Sequence, residues 1–222
     1  MIILPIPAFD DNYIWCIHDN VNAIVVDPGD PIVVHDFLLK YNLNLSSILI
    51  THHHFDHTGG VLELKNKFFP HVYGPFSNIE GIDTSVSEGD IVVDNALKIK
   101  FDVYEIPGHT LDHIAFKCQN NLFCGDTIFS SGCGRVFEGT HFQMYNSLKK
   151  LASFSDETKI YCAHEYTLNN INFAKSIEPD NTDLLQRETH VKKLRTENKP
   201  SIPTTLGMEK KINPFLRCAE KD

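Results

Sequence analysis

Sheets covered by helices, followed by a helical carboxyl-terminal appendage, are the architecture this sequence predicts, on three observations. Short segments rich in Ile, Val and aromatic residues recur from residue 13 to residue 124, separated by Gly, Asn and Pro breaks. Between some of them the apolar residues fall at helical spacing. Beyond Leu168 the pattern is helical.

Each element has a local reason. Residues 13–18 and 23–27 form a hairpin across the turn-like Asp19-Asn20. Asp27-Pro28-Gly29-Asp30 then breaks the chain. Ile32, Val33, Phe37, Leu38 and Tyr41 recur as one helix face, with Asp30 placed to cap it and Pro31 at its first position. Residues 45–51 read as the next strand. Val61, Leu62, Leu64, Lys65 and Phe68 form a helix ending before Pro70, and residues 71–74 a short strand. Residues 91–93, 97–106, 113–118 and 122–124 are further strands, residues 142–154 a helix and residues 159–162 a last strand. Two helices separated by Pro179 follow, carrying Ile171, Phe173, Ala174 and Ile177, then Leu184, Leu185, Val191 and Leu194. The pattern leaves open whether the strands make one sheet or two.

Composition narrows the function. With 42% hydrophobic and 22% charged residues, the 222-residue chain can bury a substantial core. A net charge of -9 argues against nucleic acid as a partner and for a small substrate. No apolar run approaches the roughly twenty residues that span a bilayer, and the amino-terminal residues lack a signal-peptide pattern, so no membrane partner and a cytoplasmic location are expected. The six cysteines show no C-x-x-C pair and read as reduced, mostly buried thiols. Cys124 and Cys162 each precede a candidate ligand by two residues, which makes them alternative ligands.

The stretch Thr51-His52-His53-His54-Phe55-Asp56-His57-Thr58-Gly59-Gly60 holds five residues able to bind a metal, just past a strand. His52, His54 and Asp56 are spaced by two, so an extended backbone turns them to one side, while His57 follows at the turn. That spacing suits two neighbouring ions and differs from the helical H-E-x-x-H arrangement. His109, Asp126 and His164 occupy the same kind of place, each just beyond the carboxyl end of a strand, where α/β sheets gather ligands. The carboxylate of Asp126 has two oxygens with which to bridge the ions. Histidine and carboxylate without thiolates is the donor set of a catalytic site, since structural zinc sites close with four ligands and several cysteines. Two ions sharing such ligands leave room for a reactive water.

At these residues the chain resembles the metallo-β-lactamase superfamily. Residues 51–60 are similar to its metal-binding motif, and Pro107-Gly108-His109-Thr110, Cys124-Gly125-Asp126-Thr127 and His164 to its later motifs, in order. The stretches Phe9-Asp10-Asp11-Asn12-Tyr13-Ile14-Trp15, Val26-Asp27-Pro28-Gly29-Asp30, residues 131–140, Ala163-His164-Glu165-Tyr166-Thr167 and Asn213-Pro214-Phe215-Leu216-Arg217 resemble its glyoxalase II (hydroxyacylglutathione hydrolase) family, in the bacterial form.

This resemblance implies an α+β fold: an αββα sandwich over residues 1–165 and a helical substrate-binding domain over 166–222, shorter than in longer family members. It implies hydrolysis of S-D-lactoylglutathione to D-lactate and glutathione, the second step of methylglyoxal detoxification. By position, His52, His54 and His109 would hold one divalent ion, Asp56, His57 and His164 the other, and Asp126 would bridge. Asp56 and Asp126 would be the catalytic residues, around a bridging hydroxide. Zinc is the leading metal, and iron and manganese also occur in the family. Arg135, Phe137 and Tyr166 match positions that contact the glutathione moiety. Phe137 stands where some relatives have tyrosine, which removes a hydroxyl contact. Lys192, Lys193 and Arg195 could supply basic contacts in place of a longer carboxyl terminus, and a monomer is expected. His113, four residues from His109, could hydrogen-bond behind the ligands.

Overall fold

The computed structural model describes residues 1–218; the last four residues of the expected 166–222 domain lie outside the described residues. In chain order the first half contains β1 (Ile2–Ala8), β2 (Asn12–His18), β3 (Asn22–Val26), α1 (Pro31–Tyr41), β4 (Asn44–Leu49), α2 (Phe55–Thr58), α3 (Val61–Phe68), β5 (His71–Gly74) and β6 (Thr84–Ser85). The second half continues with β7 (Ile91–Asp94), β8 (Ile99–Glu105), β9 (Ile114–Cys118), β10 (Asn121–Gly125), β11 (Ile128–Phe129), β12 (Gly132–Cys133), α4 (His141–Ala152) and β13 (Lys159–Cys162). The chain then runs through α5 (Thr167–Ile177), α6 (Thr182–Thr196), β14 (Thr204–Thr205) and α7 (Leu206–Ile212).

Twelve of the strands make two six-stranded sheets, in the orders β1-β2-β3-β4-β5-β6 and β14-β13-β10-β9-β8-β7, and β11 pairs with β12 in a small two-stranded sheet, which answers the question the pattern left open. Strand β2 shows why they stack. Tyr13, Trp15 and Ile17 join the cluster that holds Phe101, Phe116 and Phe123 of the second sheet. The alternate residues Ile14 and Cys16 join the cluster holding Val34 and Leu38 of α1 and Val61 and Leu64 of α3. A strand buried on both faces must be apolar at every position, and β2 is buried throughout. Each large apolar side chain so buried contributes about 1.5–3 kcal/mol. The second sheet is covered by α4, whose Met144, Leu148 and Leu151 enter the same cluster.

Helix α1 begins as its sequence indicates, with the Asp30 side chain accepting from the Ile32 N–H and Pro31 opening the helix. Helix α4 has a full capping box between Thr140 and Gln143. Seven elements have no counterpart in the sequence pattern: the edge strand β1, the four-residue α2, the two-residue strands β6, β11, β12 and β14, and the carboxyl-terminal α7.

The two sheets are stitched together at one end, where the candidate ligands lie. Trp15 donates its indole N–H to the Cys162 carbonyl at 2.9 Å, Tyr13 N–H to the Ala163 carbonyl, and Ile114 N–H to the Thr51 carbonyl. At the far end Asp94 of β7 accepts from the hydroxyls of Ser46 and Ser47 on β4 at 2.7 and 2.6 Å.

The carboxyl-terminal helices pack on one another through Ile171, Ala174, Leu184, Val191 and Ile212. They are also built into the sandwich, because β14 pairs antiparallel with β13. The buried Glu209 of α7 accepts from the Ser131 N–H at 2.6 Å, the Ser130 and Thr204 hydroxyls and the Asn213 amide. Removing this carboxylate strands several buried donors. Glu209→Ala is therefore expected to destabilise the ion-free protein by about 1–3 kcal/mol or more, read as a lowered thermal midpoint; an unchanged midpoint would show that water replaces the carboxylate.

Candidate metal centre

The loops that follow β4, β8, β10 and β13 bring seven side chains together: His52, His54, Asp56, His57, His109, Asp126 and His164. In one group, ligand atoms of His52, His54 and His109 lie within 4.8 Å of one another; in a second, those of Asp56, His57 and His164 do. Asp126 lies between the groups, with Oδ1 3.6 Å from His57 Nε2 and Oδ2 3.3 Å from His164 Nε2 and 3.5 Å from His109 Nε2. Two close approaches allow this convergence. A Cβ on Gly29 would collide with the Asp56 carbonyl, and one on Gly134 with the Asp126 carbonyl.

Hydrogen bonds on the outer side of the histidines decide which nitrogen each presents. The Thr51 hydroxyl donates to Asp27 Oδ2 at 2.7 Å, so it can only accept from His52 Nδ1, 3.0 Å away, leaving His52 Nε2 as a lone pair. His57 Nδ1 lies 3.1 Å from the same Asp27 oxygen, His164 Nδ1 2.8 Å from Asp11 Oδ1, and His109 Nδ1 2.7 Å from the Arg135 carbonyl. With Nδ1 donating in each, all four rings turn Nε2 inward as the atom left to bind an ion. His54 points its Nδ1 at this centre, 3.1 Å from both His52 Nε2 and His109 Nε2. Asn12 donates its amide to Asp56 Oδ2 at 2.9 Å.

The arrangement fits divalent ions. Inward lone pairs 3.1 Å apart repel unless a proton or a cation lies between them, and His57 Nε2 and Asp126 Oδ1 are buried without a hydrogen-bond partner among the described residues. Spacings of 3.1–3.6 Å match the about 3.0–3.4 Å that separates ligands at bond lengths near 2.1 Å. Imidazole and carboxylate together suit zinc, iron and similar ions.

Charge is balanced tightly. Burial opposes the imidazolium form of His57, but the Asp126 charge and the Asp27 and Asp56 carboxylates outweigh it and hold its pKa well above the ordinary histidine value. His164 is raised in the same way, its burial overcome by Asp126 and Asp11. Burial also opposes the charge on Asp126, yet His57 and His164 hold that carboxyl well below the usual range. His52 goes the other way: burial, then the neighbouring His57 and His113, push it well below the ordinary value.

Other candidates take definite places. His113 stacks on His52 at 4.5 Å and its Nε2 accepts the Asp126 N–H, so it supports two ligands from behind, and burial lowers its pKa to about 3. Phe137 packs edge-on against His54 and His109, with the Arg135 guanidinium 5.2 Å over its ring, and Tyr166 stacks on His164 at 4.7 Å. Cys124 and Cys162 lie buried beneath the site, and neither belongs to a ligand group among the described residues. Arg195 is engaged by the Tyr13 hydroxyl, Glu165 and the Lys199 carbonyl, and Lys192 pairs with Glu188 one turn away, so these two take structural and solvated roles.

Sequence reasoning passed over Asp11, Asn12 and Asp27, which orient ligands without being ligands. Asp27 had a usable signal: it too ends an apolar strand at the edge where the ligands collect.

Comparison with known proteins agrees with this geometry. A model of the metallo-beta-lactamase superfamily matches residues 9–75. The structure of ETHE1 from Myxococcus xanthus superimposes with a TM-score of 0.74 at 26% identity, covering 100% of this chain and 86% of that one, so the fold is that of the metallo-β-lactamases. Residues 165–222 match the model of the hydroxyacylglutathione hydrolase C-terminus. The hydroxyacylglutathione hydrolase of Nitrosomonas europaea is 49% identical over 217 residues, covering 97% of this chain and 83% of its own length. That of Photobacterium profundum is 51% identical over 224 residues, with coverages of 99% and 88%. The chain belongs to the hydroxyacylglutathione hydrolase family.

Two outcomes follow from the outer hydrogen bonds and the balance of charge. Asp27→Asn, which keeps the shape and removes the charge behind His57 and Thr51, is expected to weaken metal binding about 10–100-fold in competition with a chromophoric chelator. Because His57 and His164 keep their protons above the usual histidine pKa of about 6.5 in the ion-free protein, loading must expel those protons. Affinity should therefore rise with pH across neutrality and fall below it, with proton release seen by calorimetry in buffers of different ionisation enthalpy; binding without proton release would contradict the charge assignment.

Proposed function

We infer that this chain is a metal-dependent thioester hydrolase that converts S-D-lactoylglutathione and water to D-lactate and glutathione. The observation that carries the reading is the pair of inward-facing ligand groups joined by Asp126, in a chain about half identical to hydroxyacylglutathione hydrolases over nearly its whole length. His52, His54 and His109 would hold one ion and Asp56, His57 and His164 the other, with zinc the first candidate and iron or manganese the alternatives. Bound there, two divalent ions would supply Lewis acidity to the thioester carbonyl and make a water acidic enough to act as nucleophile at neutral pH.

The chain's own groups do the rest. Asp126 lies between the two groups, its Oδ2 near both His109 and His164 and its Oδ1 near His57, and so fixes their separation. Asp56 remains ionised, because its interactions with His57 and Asn12 outweigh the cost of its burial, and its carboxylate can accept a hydrogen bond that orients the attacking water. The departing thiol, with an ordinary pKa of about 8.5, leaves as thiolate without a dedicated general acid. Tyr166 keeps its proton at neutral pH, since burial and the Asp11 and Asp126 charges raise its pKa to about 12, and its hydroxyl can donate to substrate. Arg135 supplies a cation for a glutathione carboxylate and Phe137 an apolar wall.

In this reading residues 1–165 form the catalytic domain and 166–222 the substrate-binding domain. The ligand set comes from a single chain, which supports a monomer as the working unit. Six free thiols support a reducing compartment, the cytoplasm.

Purified protein should hydrolyse S-D-lactoylglutathione, lose that activity on chelation, and regain it when zinc, iron or manganese is returned separately. Asp126→Ala should remove bound metal and turnover together. Full activity in a metal-free preparation would overturn the mechanism.

A further inference from the structure

His53 sits between two of the proposed ligands and belongs to neither of their groups, yet it is the most elaborately held side chain at the rim. Its Nδ1 lies 3.0 Å from both oxygens of Asp112, and its Nε2 lies 3.0 Å from Glu138 Oε1. Asp112 is itself held: burial opposes its charge, but the neighbouring Thr110, His53 and Ser77 side chains outweigh that and keep its carboxyl below the usual range. Glu138 is fixed as well, because its Oε2 accepts the Leu111 N–H at 3.0 Å. Three loops thus hold an imidazole and a carboxylate in place before anything binds.

Both ring nitrogens of His53 are thus fixed in direction: with Asp112 behind Nδ1, Nε2 faces Glu138 Oε1 at 3.0 Å, a nitrogen and an oxygen donor held side by side. A carboxylate behind the histidine and an oxygen ligand beside its free nitrogen is the arrangement that orients metal-binding histidines elsewhere. His54 adds a further ligand atom within 4.8 Å of those of His53 and Glu138, while also belonging to the group with His52 and His109. His53 and Glu138 are about one third exposed, so an ion can reach them from solvent.

We propose that His53, His54 and Glu138 form a third, weaker site for a borderline divalent cation such as zinc, and that filling it lowers turnover by drawing on His54. The binding part stands on these residues alone. The inhibitory part rests on the hydrolase reading above. A cation here competes with the inner centre for the orientation of one imidazole, so excess metal acts against the metal that the inner centre needs.

The test is zinc titration of the doubly loaded protein, with stoichiometry read by equilibrium dialysis and elemental analysis, and thioester hydrolysis followed in parallel. The expected result is a third equivalent that binds more weakly than the first two and reduces turnover as it loads. That equivalent should vanish in His53→Gln and in Glu138→Gln, both of which keep the first two ions, and should weaken about tenfold or more in Asp112→Asn. Stoichiometry that stops at two in the unaltered protein would overturn the site and leave His53 as a structural link between Asp112 and Glu138. A third ion indifferent to both Gln substitutions would overturn the assignment of ligands. A third ion lost in both variants but without effect on turnover would overturn the inhibition. Absence of any thioesterase activity would count against the hydrolase reading and leave the stoichiometry to decide the site.

Discussion

Lone pairs forced to face one another inside a protein are the constraint on which the rest of this structure depends. Burying His52, His57, His109 and Asp126 costs solvation that the centre recovers only when something positive lies among them. Everything nearby works to keep those groups from relaxing away. The Asp27 carboxylate is the clearest case, since it takes the Thr51 N–H, the Thr51 hydroxyl and His57 Nδ1 at once. Through that one buried side chain the strand end after β3 sets the ring orientation of residues on a loop after β4.

The ligands themselves were legible because their chemistry is dense and their positions repeat: each follows a strand, and histidines have few packing reasons to gather there. Most longer strands and most helices were legible from apolar spacing, and β2 shows why, being apolar from Tyr13 to Ile17 with both faces covered. What was not legible has physical causes. Strand β1 carries Pro5 and Pro7, which argue against a strand interior, but it is an edge strand bonded to β2 alone, where prolines cost little. Helix α2 is four residues long, too short for a period to show. Strand β14 has two residues and exists because β13 offers it an edge.

The residues that orient the ligands were hidden for a different reason. Asp27 opens a stretch that reads as a break, and Asp11 and Asn12 come just before the first strand that the pattern shows, places where Asp and Asn are ordinary. Their roles come from contacts across 153, 44 and 30 positions of sequence, to His164, Asp56 and His57. Local pattern carries no information about such pairs. His53 is the converse: its residue type was noticed within the motif, but only the fold brings Asp112 and Glu138 to its two nitrogens.

The pairing of β14 with β13 has a mechanical meaning. His164 and Tyr166 come directly after β13, and the helices that follow return through β14 to grip the same strand, so the carboxyl-terminal segment is tied at both ends to the strand that carries this candidate ligand. Glu165, between those two residues, is tied to Ser201 and to Arg195 of α6. The segment therefore cannot swing as a hinged lid while His164 stays still. Under the proposed function, recognition of a thiol carrier by these helices and placement of an ion by His164 would share one rigid frame. A change that shifted the helices to suit another carrier would then move the metal geometry with it, binding substrate choice and reactivity into a single inherited trait.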